Sequence, residues 1–373
     1  MRSIFPKLTK DLSDHFLGND KGPEKILDKV ATSAPFKIKT YAELINLIAE
    51  LSFLNQDYLL YFRGQRADYK NKKNNKSTFF PEIYRDKLSK EKLEKKLEVL
   101  ENASIMLKLF FEKEQFFGFK TLIRKKEIQW SILQHYKVCE TPYLDLTQSI
   151  RVACSFAILS DDENERMLSK GYFYVFAIPY PTNRISVNSE EDLINIRLLS
   201  VCPPDALRPH YQEGYLLGTT DITNYFYDDV EKSELDFNRR LIAKLEFQNN
   251  DDFWASDLKR LNETDLFPNE DDKIFPICEK IKKYKNDGVL ENPKERFEDK
   301  WKEFKICIEN EEIKFKKAPI YFVNNSIIHE TGTLSTIIKE ITNNKSINKS
   351  TLLKYYIFIE ELIEKLNAKR TTK

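Results

Sequence analysis

Gly171-Tyr172-Phe173-Tyr174-Val175-Phe176-Ala177-Ile178 decides the fold. Aromatic and β-branched residues follow one another with no helical period, and Pro179 stops the run. Such a run is the clearest strand in the sequence. Upstream, Asp57-Tyr58-Leu59-Leu60-Tyr61-Phe62-Arg63-Gly64 reads as a second aromatic-rich strand, with Gly64 as a turn glycine at positive φ. Leu144-Asp145-Leu146 reads as a short buried strand, and more strands are expected near 184–187, 198–202 and 215–218. Between them lie helical patterns. Tyr41 to Leu54 carries apolar residues at helical spacing, with Thr40 as N-cap and Glu43 completing a capping box. Residues 86–117 read as a long amphipathic helix, 122–135 as a second and 148–160 as a mostly apolar third. Residues 235–306 are charged and helical in pattern, a strand is expected at 320–323, and helices at 334–342 and 352–366. The fold class is therefore α+β, a mixed or antiparallel sheet with flanking helices. The expected organisation is an N-terminal arm over 1–40, a sheet-bearing domain over 41–225 and a mainly helical region over 226–373.

Composition narrows the function. The chain has 373 residues, 60 of them Lys or Arg and 59 Asp or Glu, so its formal charge of +1 offers no global attraction for nucleic acid or acidic lipid. No run approaches the length of a membrane span, and the N-terminus lacks an apolar secretory core, so a cytoplasmic protein without membrane association is expected. The five cysteines include no C-x-x-C pair and read as reduced, buried thiols. Only 9 glycines occur, and neither a P-loop nor a G-x-G-x-x-G is present, so any phosphate site must be built in another way. The four histidines are scattered without metal-ligand spacing, so no metal is expected. Asn71–Lys76 is a basic loop, read as a solvated tip with nucleic-acid contact as the alternative.

Three segments concentrate candidate chemistry: Phe62-Arg63-Gly64-Gln65; Gln134-His135-Tyr136 with Tyr143, Leu144-Asp145-Leu146-Thr147 and Ser149; and Arg208-x-x-x-Gln212-Glu213-Gly214. In this order they resemble the FRG domain family, named for its Phe-Arg-Gly motif, over roughly residues 40–220. The sequence has Lys137 where that family commonly has glycine, and Leu146 where it commonly has Trp. The family's layout is similar to that of ADP-ribosyltransferases, with an Arg or His on an early strand, a hydroxyl or Tyr in the middle and a late Glu near a strand start.

The resemblance implies NAD as ligand and substrate. Cleaving NAD breaks a glycosidic bond through an oxocarbenium-like transition state, which a carboxylate stabilises. A planar guanidinium suits ribose or pyrophosphate. Carried onto this chain, Arg63, with Gly64 and Gln65, grips the dinucleotide. His135, Tyr136 and Tyr143 border it, Thr147 and Ser149 orient the ribose, and Glu213 or Gln212 holds the catalytic position. Gln212 is the residue that matches the family motif, and a neutral amide there would leave little activity.

Each residue also has a structural reading. Arg63 could pair with Asp145, and Asp145 with Arg63 or Arg151. Thr147 could cap the following helix, His135 could be a satisfied core histidine, and Glu213 an ordinary exposed carboxylate. The resemblance thus implies an ADP-ribosyltransferase or NAD glycohydrolase acting on a protein or nucleic-acid target, in a toxin or phage-defence role. The alternatives are a non-catalytic ligand- or protein-recognition module and a nucleic-acid-directed effector.

Overall fold

The 171–178 run lies within a strand at the heart of an eight-stranded sheet. The computed structural model describes residues 4–19, 22–85, 89–160, 167–219, 232–254, 258–310 and 347–371. The strands are β1 (Phe36–Ile38), β2 (Tyr58–Gln65), β3 (Leu144–Thr147), β4 (Lys170–Pro179), β5 (Ile185–Asn188), β6 (Leu193–Arg197), β7 (Gly214–Gly218) and β8 (Leu241–Gln248). Their spatial order is β1-β8-β4-β2-β3-β7-β6-β5. Only β1 and β8 pair in parallel; every other neighbouring pair is antiparallel. The α+β class with a mixed sheet and flanking helices is thus observed.

Alternation along β4 and β2 assigns the two faces of the sheet. Phe173 on β4 and Phe62 on β2 lie on one face, with ring centroids 5.3 Å apart. The Ile150–Ile158 helix packs over this face. Tyr174 lies on the other face, where Phe79 meets both Tyr174 and Phe176 edge-on. That face also buries a charge. Lys244 of β8 is wholly inaccessible, and its Nζ donates to Asp68 Oδ2 at 3.0 Å, to Ser77 Oγ at 2.9 Å and to the Ala31 carbonyl at 3.1 Å. Such a cation is tolerated because its donors are satisfied.

A second core is mainly helical. The Lys90–Glu114, Lys126–His135, Phe275–Asn286, Pro293–Asn310 and Lys349–Thr371 helices share one apolar cluster with Ile194, Ile196 and Leu216 of the sheet.

Several sequence readings change on contact with the structure. β8 comes from beyond residue 225 and sits between β1 and β4, so the sheet does not end at that boundary. Its LIAKLEFQ pattern is masked by the charged residues around it. Residues 1–40 supply the Lys10–Phe16 and Ile26–Thr32 helices and β1, with Leu12, Phe16 and Val30 in the core. The strand expected at 198–202 is a helical turn, Leu198–Val201, and the strand is β6 just before it. Thr40 caps the Tyr41–Leu54 helix as read, accepting from Glu43 N at 3.1 Å, but Glu43 reaches back to Lys39 N. The Asn71–Lys76 loop is closed by the Lys70–Ser77 bridge, and Lys76 pairs with Asp28. The features expected at 320–323 and 334–342 lie outside the described residues. Among those described, no helix is long and apolar enough to cross a membrane.

Candidate functional site

The sheet has one weak seam. β2 pairs with β4 over eight residues, but with β3 only at Phe62–Thr147. Beyond that pair the strands diverge, and Arg63 reaches across the opening. Its Nη1 donates to the Asp145 carbonyl at 2.5 Å, so the bond to Asp145 uses the backbone and leaves the carboxylate available. Arg63 Nε is sealed from solvent without a hydrogen-bond partner. Burial pushes its guanidinium down to about 10, opposed by Asp145 and Glu82 and reinforced by Arg85. It remains charged at neutral pH.

Next to the seam is a cleft of about 520 Å³ lined by Arg63, His135, Asp145, Thr147 and Gln212, among others. His135 ends the Lys126–His135 helix and is buried, yet neither ring nitrogen has a hydrogen bond. Nε2 lies 3.5 Å from Asp145 Oδ1, an ion pair only if the ring is protonated. Burial lowers the His135 pKa; Asp145 and Gln212 pull the other way, and Arg208 adds to the lowering. A neutral imidazole beside a carboxylate is suited to accepting a proton. Gly214 makes room for it, since a Cβ there would stand 3.0 Å from His135 Cε1 and 2.8 Å from Leu198 Cδ1.

The other candidates divide between the cleft and the framework. Thr147 lines the cleft, but its hydroxyl donates to the Gln212 carbonyl at 2.9 Å and accepts from Ser149 N at 3.0 Å. Ser149, not Thr147, caps the Ile150–Ile158 helix, accepting from Val152 N. Gln212 faces the cleft, although its Nε2 is committed to the Leu266 carbonyl at 2.8 Å. Glu213 is exposed, with a left-handed φ of +43°, and is not part of the cleft lining. Tyr136 is buried, and its hydroxyl donates to Asp272 Oδ2 at 2.5 Å. Asp272 also accepts from the backbone amides of Leu207, Ile274 and Phe275. Tyr143 packs under Trp130 and fills the space left by Gly218. Burial raises both tyrosines far above the ordinary value, so each stays a neutral phenol. Arg208 stacks over Tyr136 and Phe275, each 4.9 Å from its guanidinium carbon, and donates to Asn269 at 2.6 Å. Gln134 ties the 136–143 loop by donating to the Tyr143 carbonyl and accepting from Thr141.

Gly64 needs correction. It lies within β2 and is absent from the glycines with positive φ. Its lack of a side chain serves close approach: a Cβ there would sit 1.8 Å from the Ala153 carbonyl oxygen and 2.7 Å from Ala157 N. The helix backbone rests directly on the strand.

Sequence reasoning missed Arg85, Lys137 and Phe267, which line the cleft or its extension. Lys137 holds a left-handed φ of +54°, and its ammonium lies 4.8 Å from the centre of the Phe267 ring. The glycine expected at 137 by family resemblance was the available signal for that backbone shape. Among the described residues, no cluster of three or more His, Cys, Asp or Glu could hold a metal. No family model, no curated protein and no solved structure matches this chain.

Proposed function

We propose that the cleft at the β2–β3 seam binds an NAD-like dinucleotide and that the protein cleaves its nicotinamide–ribose bond, as an ADP-ribosyltransferase or NAD glycohydrolase. One observation carries the reading. Arg63 and His135 both bring buried, unpartnered nitrogens to one cleft, next to the carboxylate of Asp145. Buried polar atoms without partners are uncommon and costly in a finished fold, and their gathering beside one cleft marks the place as kept for function rather than for packing. The FRG resemblance names the ligand class, and a toxin or phage-defence role depends on the same reading.

The roles follow from position. Arg63 grips an anionic or ribose oxygen. Asp145 replaces Glu213 as the carboxylate facing the developing oxocarbenium, because it is the carboxylate beside His135 and Arg63 in the cleft. The C1′–N bond breaks with its electron pair going to nicotinamide, and a bond forms from C1′ to the acceptor oxygen. His135 takes the acceptor's proton. A recognition module without turnover is the second reading. The observation favouring it is that Gln212 is already hydrogen-bonded and Glu213 stands outside the lining.

The test is nicotinamide release from NAD by the full chain, with cell extract as a source of acceptors. Arg63→Ala and Asp145→Asn are expected to abolish release, and Glu213→Gln to leave it unchanged. Release that survives Asp145→Asn and fails in Glu213→Gln would reject this assignment. Binding of NAD without release would select the recognition module.

A further inference from the structure

Arg208 opens the third of the candidate segments yet does not line the cleft. It is 6% exposed, and its side-chain nitrogens form no ion pair among the described residues. A buried cation with no carboxylate against it is costly, so its place in the fold needs a cause. The cause lies at the end of the Lys126–His135 helix. That end closes around the left-handed Lys137: Val138 N donates to the Leu133 carbonyl and Lys137 N to the Gln134 carbonyl, both at 2.8 Å. The His135 carbonyl, next along the chain, is left over by this closure and accepts from Arg208 Nη1 at 3.4 Å. Nη2 of the same fork donates to Asn269 at 2.6 Å. The guanidinium lies against the rings of Tyr136, Phe275 and Phe267, the last a wall of the cleft. The Arg208 amide is itself held by Asp272 Oδ2 at 3.3 Å.

We infer that Arg208 is the positioning residue for His135: its fork, anchored on Asn269 and among three rings, clamps the end of the helix that carries the imidazole to the cleft. A lysine could not serve in the same way, because a single ammonium cannot reach two acceptors and still offer a flat face to the rings. The same cation bears on the charge state of the imidazole. Three side chains act on it: Asp145 from β3, Gln212 from the turn before β7, and Arg208. Leu198 and Gly214, which also border it, carry no charge. Burial, the strongest influence, opposes the imidazolium, and Arg208 adds to that, whereas Asp145 and Gln212 favour it. Arg208 therefore keeps the ring ready to accept a proton while fixing where it does so. The catalytic consequence rests on the proton-acceptor role proposed above; the clamp and its effect on the ring do not.

Titration of the histidine rings of the full chain by NMR tests the inference, with His135→Gln identifying the His135 signals among those of the four histidines. Arg208→Met keeps an apolar stem among the rings and removes both charge and fork, so His135 should take up its proton at higher pH than in wild type. Asp145→Asn should move it in the opposite direction. Asn269→Ala, at an exposed position, frees one end of the fork without touching the core, and should displace the His135 ring resonances. His135 protonation curves that coincide in wild type and Arg208→Met, at matching melting temperatures, overturn the inference. So do His135 resonances that stay in place in Asn269→Ala, a result that decides the matter even where Arg208→Met does not fold. In nicotinamide release, Arg208→Met should be slower on the order of tenfold or more, with its acid limb moved to higher pH. A slower rate with the acid limb unmoved would make Arg208 a framework residue only. A shifted titration without nicotinamide release by any of these chains would retain the clamp and reject the reaction.

Discussion

Replacing Gly64 by alanine should damage the fold more than any contact list for a methyl group indicates. The added Cβ would lie 1.8 Å from Ala153 O, 2.7 Å from Ala157 N and 2.9 Å from Ala153 C. All three are helix backbone, so no side chain can rotate away. The gap to Ala153 O must open by more than an ångström to reach any tolerated contact. The helix cannot rise freely, because Ala157 also rests over Gly171 of β4, where a Cβ would meet Ala157 Cβ at 2.7 Å. Overpacking of a finished core costs about 1–3 kcal/mol, and a clash with backbone on two sides belongs at or above the upper end. At ~3 kcal/mol, and with an unfolding entropy of ~2.1 cal/mol/K per residue, a chain of 373 residues should lose roughly 4 °C in melting temperature. Differential scanning calorimetry of Gly64→Ala beside Gly118→Ala isolates the cause. Gly118 has a φ of +81° with nothing within 4 Å of a built Cβ, so it reports only backbone strain, about 1 kcal/mol. If Gly64→Ala melts within 2 °C of wild type, the helix is not seated on β2 as described and the packing argument fails.

Four shorter predictions test the framework and the site separately. Tyr136→Phe removes one bond to the buried Asp272 and should cost about 1–2 kcal/mol in urea denaturation, with NAD binding unchanged because Tyr136 is not in the cleft lining. Breaking the Lys244–Asp68 pair from the Asp68 side leaves a wholly buried ammonium with no counter-charge, so Asp68→Ala should cost about 3–5 kcal/mol in denaturant unfolding. Lys244→Met, which leaves the partly accessible Asp68 with Lys70 at 3.7 Å and the Ser77 and Tyr174 hydroxyls, should cost less. His135 has a folded pKa below the ordinary histidine value of 6.5, so the unfolded chain binds the proton more readily. Its contribution to stability is present above pH 6.5 and is lost as the pH falls below it, and His135→Gln should flatten that part of a melting-temperature profile. Asp236 runs the other way: burial raises it from 3.8 to about 6, opposed by bonds from the amides of Phe79 and Asn238. The folded state therefore holds its proton longer, and wild-type stability should decline as pH rises from 4 to 6, an effect that Asp236→Asn removes.

What was legible in the sequence depended on local periodicity. The β4 run, the 41–54 helix and its Thr40 cap, and the long helix beginning near residue 90 could all be read because adjacent residues carry the signal. β8 was hidden although Leu241, Ala243, Leu245 and Phe247 alternate, because the intervening Lys244 and Glu246 merge it with the charged stretch around it, and Lys244 is buried only because Asp68, Ser77 and Ala31 satisfy it from distant parts of the chain. The site followed the same rule. Arg63, His135 and Gln212 could be picked out as candidates, but their division from Tyr136, Tyr143 and Glu213 depends on which way each side chain faces. Asp272 lies 136 residues from Tyr136, and no local pattern links them. Arg85, Lys137 and Phe267 were missed for the same reason, since they meet along the cleft only in three dimensions.

The Phe-Arg-Gly triplet gains a physical meaning from this division. Phe62 packs against Phe173 in the core, Gly64 admits the helix backbone, and Arg63 between them points to the opposite side of the strand and into the cleft. A two-residue side-chain period makes this arrangement unavoidable on a strand: two neighbours that serve the core force the residue between them to serve the other face. The helix-side pair fixes where the strand lies, and the strand's single contact with β3 fixes how far the seam can open. Arg63 is therefore held at the seam by neighbours that also serve the core, although Phe62 and Gly64 border the cleft as well. It follows that Arg63→Ala and Gly64→Ala, one residue apart, should have separable effects. Removing the arginine relieves a buried, partly unpartnered cation and should leave the melting temperature near wild type while ligand binding is lost. Adding the methyl should lower the melting temperature and weaken ligand binding only through the displaced strand. If both variants lose stability to the same degree, Arg63 is a framework residue and the cleft reading loses its central cation.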